Sequence, residues 1–233
     1  AGFDVVGAVE IDALAAETYR MNHAEVTVWE DDITALSTLS IKRKLHVRKG
    51  ELDLLAGCPP CQGFSTMRTL NGGKKIKDDR NDLIFEFLRF IKDFEPKAIM
   101  MENVPGLIDD KRFKKFCKEI KSLGYIPNYA VENAADYGVP QRRRRTILLA
   151  GRGFKIDFAE KVKEKKTVAD AIKNMPKPGK SGDFLHDMPE LRTDKVKRLI
   201  AMIPKNGGSR TDLPKKEQLD CHKKCDGFKD VYG

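Results

Sequence analysis

Leu52-Asp53-Leu54-Leu55-Ala56, running directly into Gly57-Cys58-Pro59-Pro60-Cys61-Gln62-Gly63-Phe64-Ser65, is the stretch on which the reading of this 233-residue chain turns. The first five residues make a short apolar run, which suits a strand buried in a parallel sheet. Pro59 and Pro60 have no amide hydrogen to give to a ladder, so the strand ends before them. The chain must turn outward at Cys61, in a loop poor in bulky side chains, and a thiol held there is presented to a substrate. The Cys58-Pro-Pro-Cys61 spacing also suits a redox pair or half of a zinc site. A redox pair normally begins a helix, whereas Gln62-Gly63-Phe64-Ser65 continues a loop.

Outward from this stretch the same grammar recurs. Phe3 to Glu10 reads as a strand closing on an acid and Ala13 to Met21 as an alanine-rich helix, an order typical of nucleotide sites. Val26 to Trp29 is a second short strand, leading into Asp31-Asp32-Ile33-Thr34. Asn81 to Phe94 carries Leu83, Ile84, Phe87, Leu88 and Ile91 at helical spacing, and Phe113 to Leu123 does so more weakly. Lys97 to Met101 is a strand running into Glu102-Asn103-Val104. Tyr129 to Val131 and Thr146 to Ala150 are the last two strands, joined by the Asp136-Tyr137-Gly138-Val139-Pro140 turn and the cationic Gln141-Arg142-Arg143-Arg144-Arg145. Alternating strands and helices predict an α/β fold with a doubly wound, mainly parallel sheet. Thiol, carboxylate and cationic cluster all fall at strand ends, where open α/β sheets carry their sites. From Gly151-Arg152-Gly153 the pattern breaks and a lysine run follows (Lys161, Lys163, Lys165, Lys166), which places a domain boundary between 1–152 and 153–233. Val168 to Met175 and Lys195 to Met202 read as short helices beyond it.

The Pro60-Cys61-Gln62 loop, Glu102-Asn103-Val104 and the Gln141-x-Arg143-x-Arg145 segment, in this order, resemble the motifs of the cytosine-5 DNA methyltransferase family. The resemblance implies an S-adenosylmethionine-dependent, Rossmann-like catalytic domain followed by part of a smaller target-recognition domain. It implies that Cys61 adds as a thiolate to carbon 6 of cytosine, making an enamine whose carbon 5 can take a methyl group. Glu102 would hydrogen-bond ring nitrogen 3 and the exocyclic amine, and its pKa would have to rise for it to donate a proton to that nitrogen. Arg143 and Arg145 alternate along their strand and so share a face, which would let them hold the base oxygen and the catalytic carboxylate together; Arg142 and Arg144 face the other way. Pro60, Gln62, Ser65, Asn103, Val104 and Gln141 complete the motifs on the substrate side. On the cofactor side, Glu10 fits the acid that bonds the ribose hydroxyls, Asp32 with Ile33 the pair that contacts adenine, and Leu83 the leucine lining the pocket. Ile11 stands where many relatives carry an aromatic, which weakens stacking there. The implied partner is double-stranded DNA, with the target base flipped into the pocket around Cys61. Cys58 is then a structural residue.

Plainer readings stand beside these. A carboxylate at a strand end can cap the next helix, and an arginine run usually marks a solvated surface. Cys221-His222-Lys223-Lys224-Cys225 lacks a nearby fourth ligand and matches no common finger, so no metal is expected. Net charge is +9; residues 1–150 hold 24 Lys and Arg against 22 Asp and Glu, and residues 151–233 hold 20 against 13, so +7 of the +9 lies in the last third. This excess favours a polyanionic partner. No apolar run approaches the ~20 residues that cross a bilayer, and no secretory leader is visible, so a reduced, intracellular protein is expected, cytoplasmic and nucleoid-associated if prokaryotic. Five cysteines are an odd number, which agrees with free thiols.

Two parts of the family pattern have no counterpart in these residues: the opening strand with its Phe-x-Gly-x-Gly-Gly loop, and the segments that follow the recognition region. A sheet without its middle strand would expose apolar edges and leave the cofactor site half built, so the chain by itself is expected to be inactive and to need those segments or a second chain. The rival readings are a non-catalytic nucleic-acid-binding subunit and an RNA (tRNA) cytosine-5 methyltransferase.

Overall fold

The computed structural model describes residues 2–60, 82–205 and 208–218. Cys61, Gln62 and Ser65 therefore lie outside the described residues, as does the Cys221–Cys225 segment. The described chain forms two compact units, one holding the described residues up to 166 and the other those from 167 on.

In the first unit the elements follow in the order β1 (Gly7–Glu10), α1 (Ala13–Asn22), β2 (Thr27–Glu30), α2 (Thr38–Leu45), β3 (Leu54–Gly57), α3 (Leu83–Phe94), β4 (Ala98–Asn103), α4 (Lys111–Ser122), β5 (Tyr125–Asn133) and β6 (Arg144–Arg152). Helix α2 had no counterpart in the sequence reading. Ser37 caps it by accepting from the Ser40 amide, Ile41 is buried beneath it, and Lys42, Arg43 and Lys44 complement its carbonyl end. Three consecutive basic residues masked the apolar spacing.

The strands form two sheets, β1–β2 and β3–β4–β6–β5. This corrects the expected mainly parallel sheet. β1 pairs parallel with β2 and β3 parallel with β4, but β6 runs antiparallel to both β4 and β5. The cause is the connection: between β5 and β6 the chain has only the 3-10 turn Ala134–Tyr137 and a few residues more, whereas a parallel return needs a crossover of about a dozen residues or more, usually a helix. Gly138, at φ 82°, closes that turn in the left-handed region that favours glycine.

One dry core holds the larger sheet. Ile84, Phe87, Leu88 and Ile91 of α3 and Phe113, Phe116 and Ile120 of α4 pack with Ile99, Met101, Leu148 and Ala150 of β4 and β6. Gly57 ends β3 where a Cβ would stand 2.6 Å from the Phe87 ring, so the helix approaches the strand as closely as it does only because the residue is glycine. The opposite side of α3, through Phe90 and Phe94, packs with Ile41 of α2 and with Trp29, Ile33, Leu36, Leu45 and Leu52. That second cluster ties the β1–β2 pair to the rest.

Residues 153–166 run back along the first unit: the Asn128 side chain donates to the Ile156 carbonyl at 3.0 Å and the Val162 amide to the Asp136 carbonyl at 2.9 Å. The second unit contains α5 (Val168–Ile172), α6 (Asp194–Ala201) and the 3-10 turn Arg210–Asp212. Its loop from 176 to 187 is gathered around Asp187, which accepts from the Ser181 hydroxyl and from the amides of Gly179, Ser181 and Gly182. These bonds, the Ser181 hydroxyl foremost, hold its carboxyl down at about 2. Among the described residues no helix is long and apolar enough to cross a membrane.

Candidate active site

Glu102 is the penultimate residue of β4, and its neighbours in the sheet decide what surrounds it. The parallel register of β3 on β4 sets Gly57 opposite Met101, so Cys58 leaves the sheet beside Glu102. The antiparallel register of β6 sets Ile147 opposite Glu102, which brings the start of β6, with Arg145, to the same edge. Oε1 of Glu102 takes Nη2 of Arg143 at 3.0 Å and Nε of Arg145 at 2.9 Å. Oε2 accepts from the Cys58 thiol at 3.1 Å. The Glu102 side chain is 26% exposed, against 49% for that of Arg143 and 28% for that of Arg145, so the cluster opens to solvent on the Arg143 side. Among the described residues Arg142 and Arg144 make no ion pair.

Asn103 is buried and works on the backbone. Its amide donates to the Pro59 carbonyl at 2.9 Å, pinning the chain two residues before Cys61, and its Oδ1 accepts from the Val104 amide at 2.9 Å. The Thr146 hydroxyl, buried on β6, donates to the Val104 carbonyl at 3.1 Å. Pro60 is exposed at the end of the described segment, and Gln141 is exposed in a tight turn where its amide reaches the Val139 carbonyl at 2.7 Å and its carbonyl takes the Arg143 amide at 3.1 Å. The structure thus brings Glu102, Arg143, Arg145, Asn103, Val104 and Cys58 together.

The second group of expected residues sits at the C-terminal ends of β1 and β2. Glu10 closes β1 and its Oε1 accepts from the Asp12 amide at 2.9 Å, which opens α1. Asp32 accepts from both the amide and the hydroxyl of Thr34 at 2.8 Å, and these bonds, the amide first, hold its carboxyl below the ordinary range. Each acid keeps one carboxylate oxygen without a hydrogen bond or ion pair among the described residues. Ile11 is 69% exposed, whereas Ile33 packs against the Ile41, Phe90 and Phe94 cluster. Leu83 opens α3, half-buried.

Sequence reading missed Arg89. From α3 it donates to the Ile33 carbonyl at 2.6 Å and to the Leu36 carbonyl at 3.0 Å, pairs with Glu86 at 2.7 Å, and stacks on Phe90 at 5.0 Å. It therefore fixes the loop that carries Asp32 and Ile33. An arginine between Leu88 and Phe90 in a helix otherwise buried on two sides was the available signal. The lysine run also divides: Lys161 pairs with Glu132 at 2.8 Å and Lys165 with Asp136 at 2.9 Å, whereas Lys163 and Lys166 make no ion pair among the described residues.

The α/β fold that carries these carboxylates is similar to that of solved methyltransferases. A solved DNA modification methyltransferase encoded within a prophage of E. coli is similar over 89% of this chain and 61% of its own, with 27% identity and a TM-score of 0.61. The family model for C-5 cytosine-specific DNA methylase matches residues 1–229, and the chain belongs to that family. It is 36% identical over 223 residues to the type II methyltransferase M1.HphI of Haemophilus parahaemolyticus, covering 92% of this chain and 58% of that protein. It is also 36% identical over 207 residues to the type II methyltransferase M.AquIA of Picosynechococcus sp., covering 76% of this chain and 82% of that one. The chain spans little more than half the length of M1.HphI.

Proposed function

We propose that the chain carries the catalytic centre of an S-adenosylmethionine-dependent enzyme that methylates carbon 5 of cytosine in DNA. The observation that carries this reading is the convergence on Glu102 of Arg143, just before β6, and Arg145, within it, beside the loop that leads to Cys61. In the proposed reaction the Cys61 thiolate bonds to carbon 6 and the ring electrons move to carbon 5. The cofactor supplies the methyl group that carbon 5 takes. A water molecule acting as base then takes the proton from carbon 5, and that electron pair re-forms the 5,6 double bond as the sulfur–carbon bond breaks, which restores the thiolate and the aromatic ring. Glu102 faces ring nitrogen 3 and the exocyclic amine, while Arg143 and Arg145 anchor that carboxylate and meet the base oxygen. The assignment of the nucleophile to Cys61 instead of Cys58 is supported by the Cys58 thiol being engaged with Glu102.

The chemistry of the first two strand ends fits the cofactor. Glu10 and Asp32 each offer an acceptor oxygen, suited to ribose hydroxyls and the adenine amine, and exposed Ile11 offers an apolar surface to the adenine ring. Ile33 is occupied by core packing, so its contribution is the backbone that Arg89 holds. Double-stranded DNA is the proposed substrate, a single base being flipped into the site, with the recognition part beginning after the 153–166 segment returns along the sheet. Lys163 and Lys166 are the members of the run available to phosphates.

The test is transfer of labelled methyl groups by the natural full-length protein, with duplex DNA and RNA as competing acceptors. Cytosine in DNA is expected to be labelled, and Cys61→Ala to abolish labelling while DNA binding stays within about twofold, because phosphate contacts do not involve the thiol. Retained turnover in the alanine variant, or labelling of RNA alone, contradicts the reading.

A further inference from the structure

Cys58 sits three residues before the expected nucleophile, and the sequence gives it no task beyond a structural one. In the structure it has one. The 3.1 Å contact between Sγ and Oε2 of Glu102 is an S–H donating to a carboxyl oxygen. The two arginines hold the other oxygen, Oε1. A carboxylate tethered through one oxygen can still pivot about that point; a third contact on the second oxygen fixes its plane.

We propose that Cys58 is a positioning residue: its thiol, bonded to Oε2, fixes the Glu102 carboxylate in the orientation that meets the edge of the target cytosine. This rests on the function proposed above and deepens it. Among the described residues the charged groups that face Cys58 include Glu102 from β4 and, through it, Arg143, just before β6, and Arg145, within it. Pro59, the next residue, is locked by Asn103, so the thiol is held at its place by backbone as well as by its own bond. A second consequence concerns the choice between the two cysteines. A thiol engaged as a donor to a carboxylate keeps its proton, so Cys58 does not compete with Cys61 for the base.

Site-resolved alkylation of this chain by iodoacetamide reads the contact without any methyl transfer. Glu102→Gln removes the negative charge and leaves one acceptor oxygen, which the two arginines take, so that the amide NH2 faces the thiol. Alkylation of Cys58 is then expected to speed up about fivefold or more near neutral pH, since the thiolate forms beside a donor and two unneutralised arginines. Cys117 is the internal control: burial pushes its thiol up to about 12, so it stays unreactive as long as the fold is kept. Equal rates at Cys58 in the two proteins overturn the proposal. If Cys117 becomes reactive in the variant, the infrared S–H stretch of the unsubstituted chain decides, assigned by difference against Cys58→Ser. A band shifted to lower frequency supports the bond and an unshifted one overturns it. In the natural full-length enzyme, Cys58→Ala is expected to lower kcat about tenfold, the worth of one hydrogen bond to a charged group, with KM for the cofactor unchanged and Cys58→Ser restoring most of the loss. An unchanged kcat in Cys58→Ala removes the positioning role. Absence of methyl transfer in the unsubstituted enzyme would instead sink the proposed function and leave the alkylation result standing.

Discussion

Met101 of β4 and Leu148 of β6 are 1% and 0% exposed, and Phe113, Phe116 and Ile120 beneath them are equally dry. In the β1–β2 pair no strand residue is buried to that degree, α1 buries only Ala16, and Phe3, Val5, Leu14 and Met21 stand 41% exposed or more, as does Val6 at 41%. The two regions carry the two halves of the proposed chemistry. The base-side cluster of Glu102, Arg143 and Arg145 rises from the close-packed sheet and is already assembled, whereas the cofactor-side acids Glu10 and Asp32 rise from a pair of short strands tied to α3 through the Ile41, Phe90 and Phe94 cluster, through Arg89, and through the bonds of Thr38 and Lys42 to Asp93. The comparison teaches that a site is only as rigid as the layer beneath it.

Thermal or denaturant unfolding should expose the contrast most strongly. Phe116→Ala, at 0% exposure between α3, α4 and the sheet, is expected to cost about 3–5 kcal/mol. Leu14→Ala, at 74% exposure on α1, is expected to stay within about 0.5 kcal/mol. Similar losses in the two variants would break the comparison.

Arg89 sharpens it, because it links α3 to the loop that carries Asp32 and Ile33. Arg89→Ala strands the carbonyls of Ile33 and Leu36 and is expected to cost about 1–3 kcal/mol. The distinguishing measurement is hydrogen exchange: amides of residues 32–36 should exchange faster while those of β4 and β6 keep their protection. Uniform acceleration through both regions would mean that Arg89 supports the whole unit and not the cofactor-side loop.

Most of the fold could be read from the chain because strand ends and helix faces are local features. The spacing of Leu83, Ile84, Phe87, Leu88 and Ile91 announced α3, and Glu10, Glu102 and Arg145 marked the ends or starts of their strands. Direction was not local. Had β6 run parallel to β4, its start would lie at the far edge of the sheet, and nine residues at ~3.4 Å each would put Arg145 more than about 20 Å from Glu102. The short β5–β6 connection, by forbidding a crossover, is what brings the arginines to the acid. The roles of Arg89 and Cys58 were illegible for a different reason: each depends on a partner more than 40 residues away, Ile33 and Leu36 for one, Glu102 for the other. Helix α2 was hidden by its own charges, since Lys42, Arg43 and Lys44 outweigh Ile41 and Leu45 in any count of apolar spacing.

The central claim is that carbon 6 of a flipped cytosine bonds to the sulfur of Cys61 while Cys58 serves Glu102. Incubating the natural full-length protein with S-adenosylmethionine and duplex DNA carrying 5-fluorocytosine at the target position tests both halves at once, because fluorine replaces the proton whose loss would release the enzyme. The account predicts a covalent protein–DNA complex whose digestion yields the modified base on Cys61 and none on Cys58. An adduct on Cys58, or methylation of ordinary DNA without any trapped complex on the fluorinated strand, would contradict it.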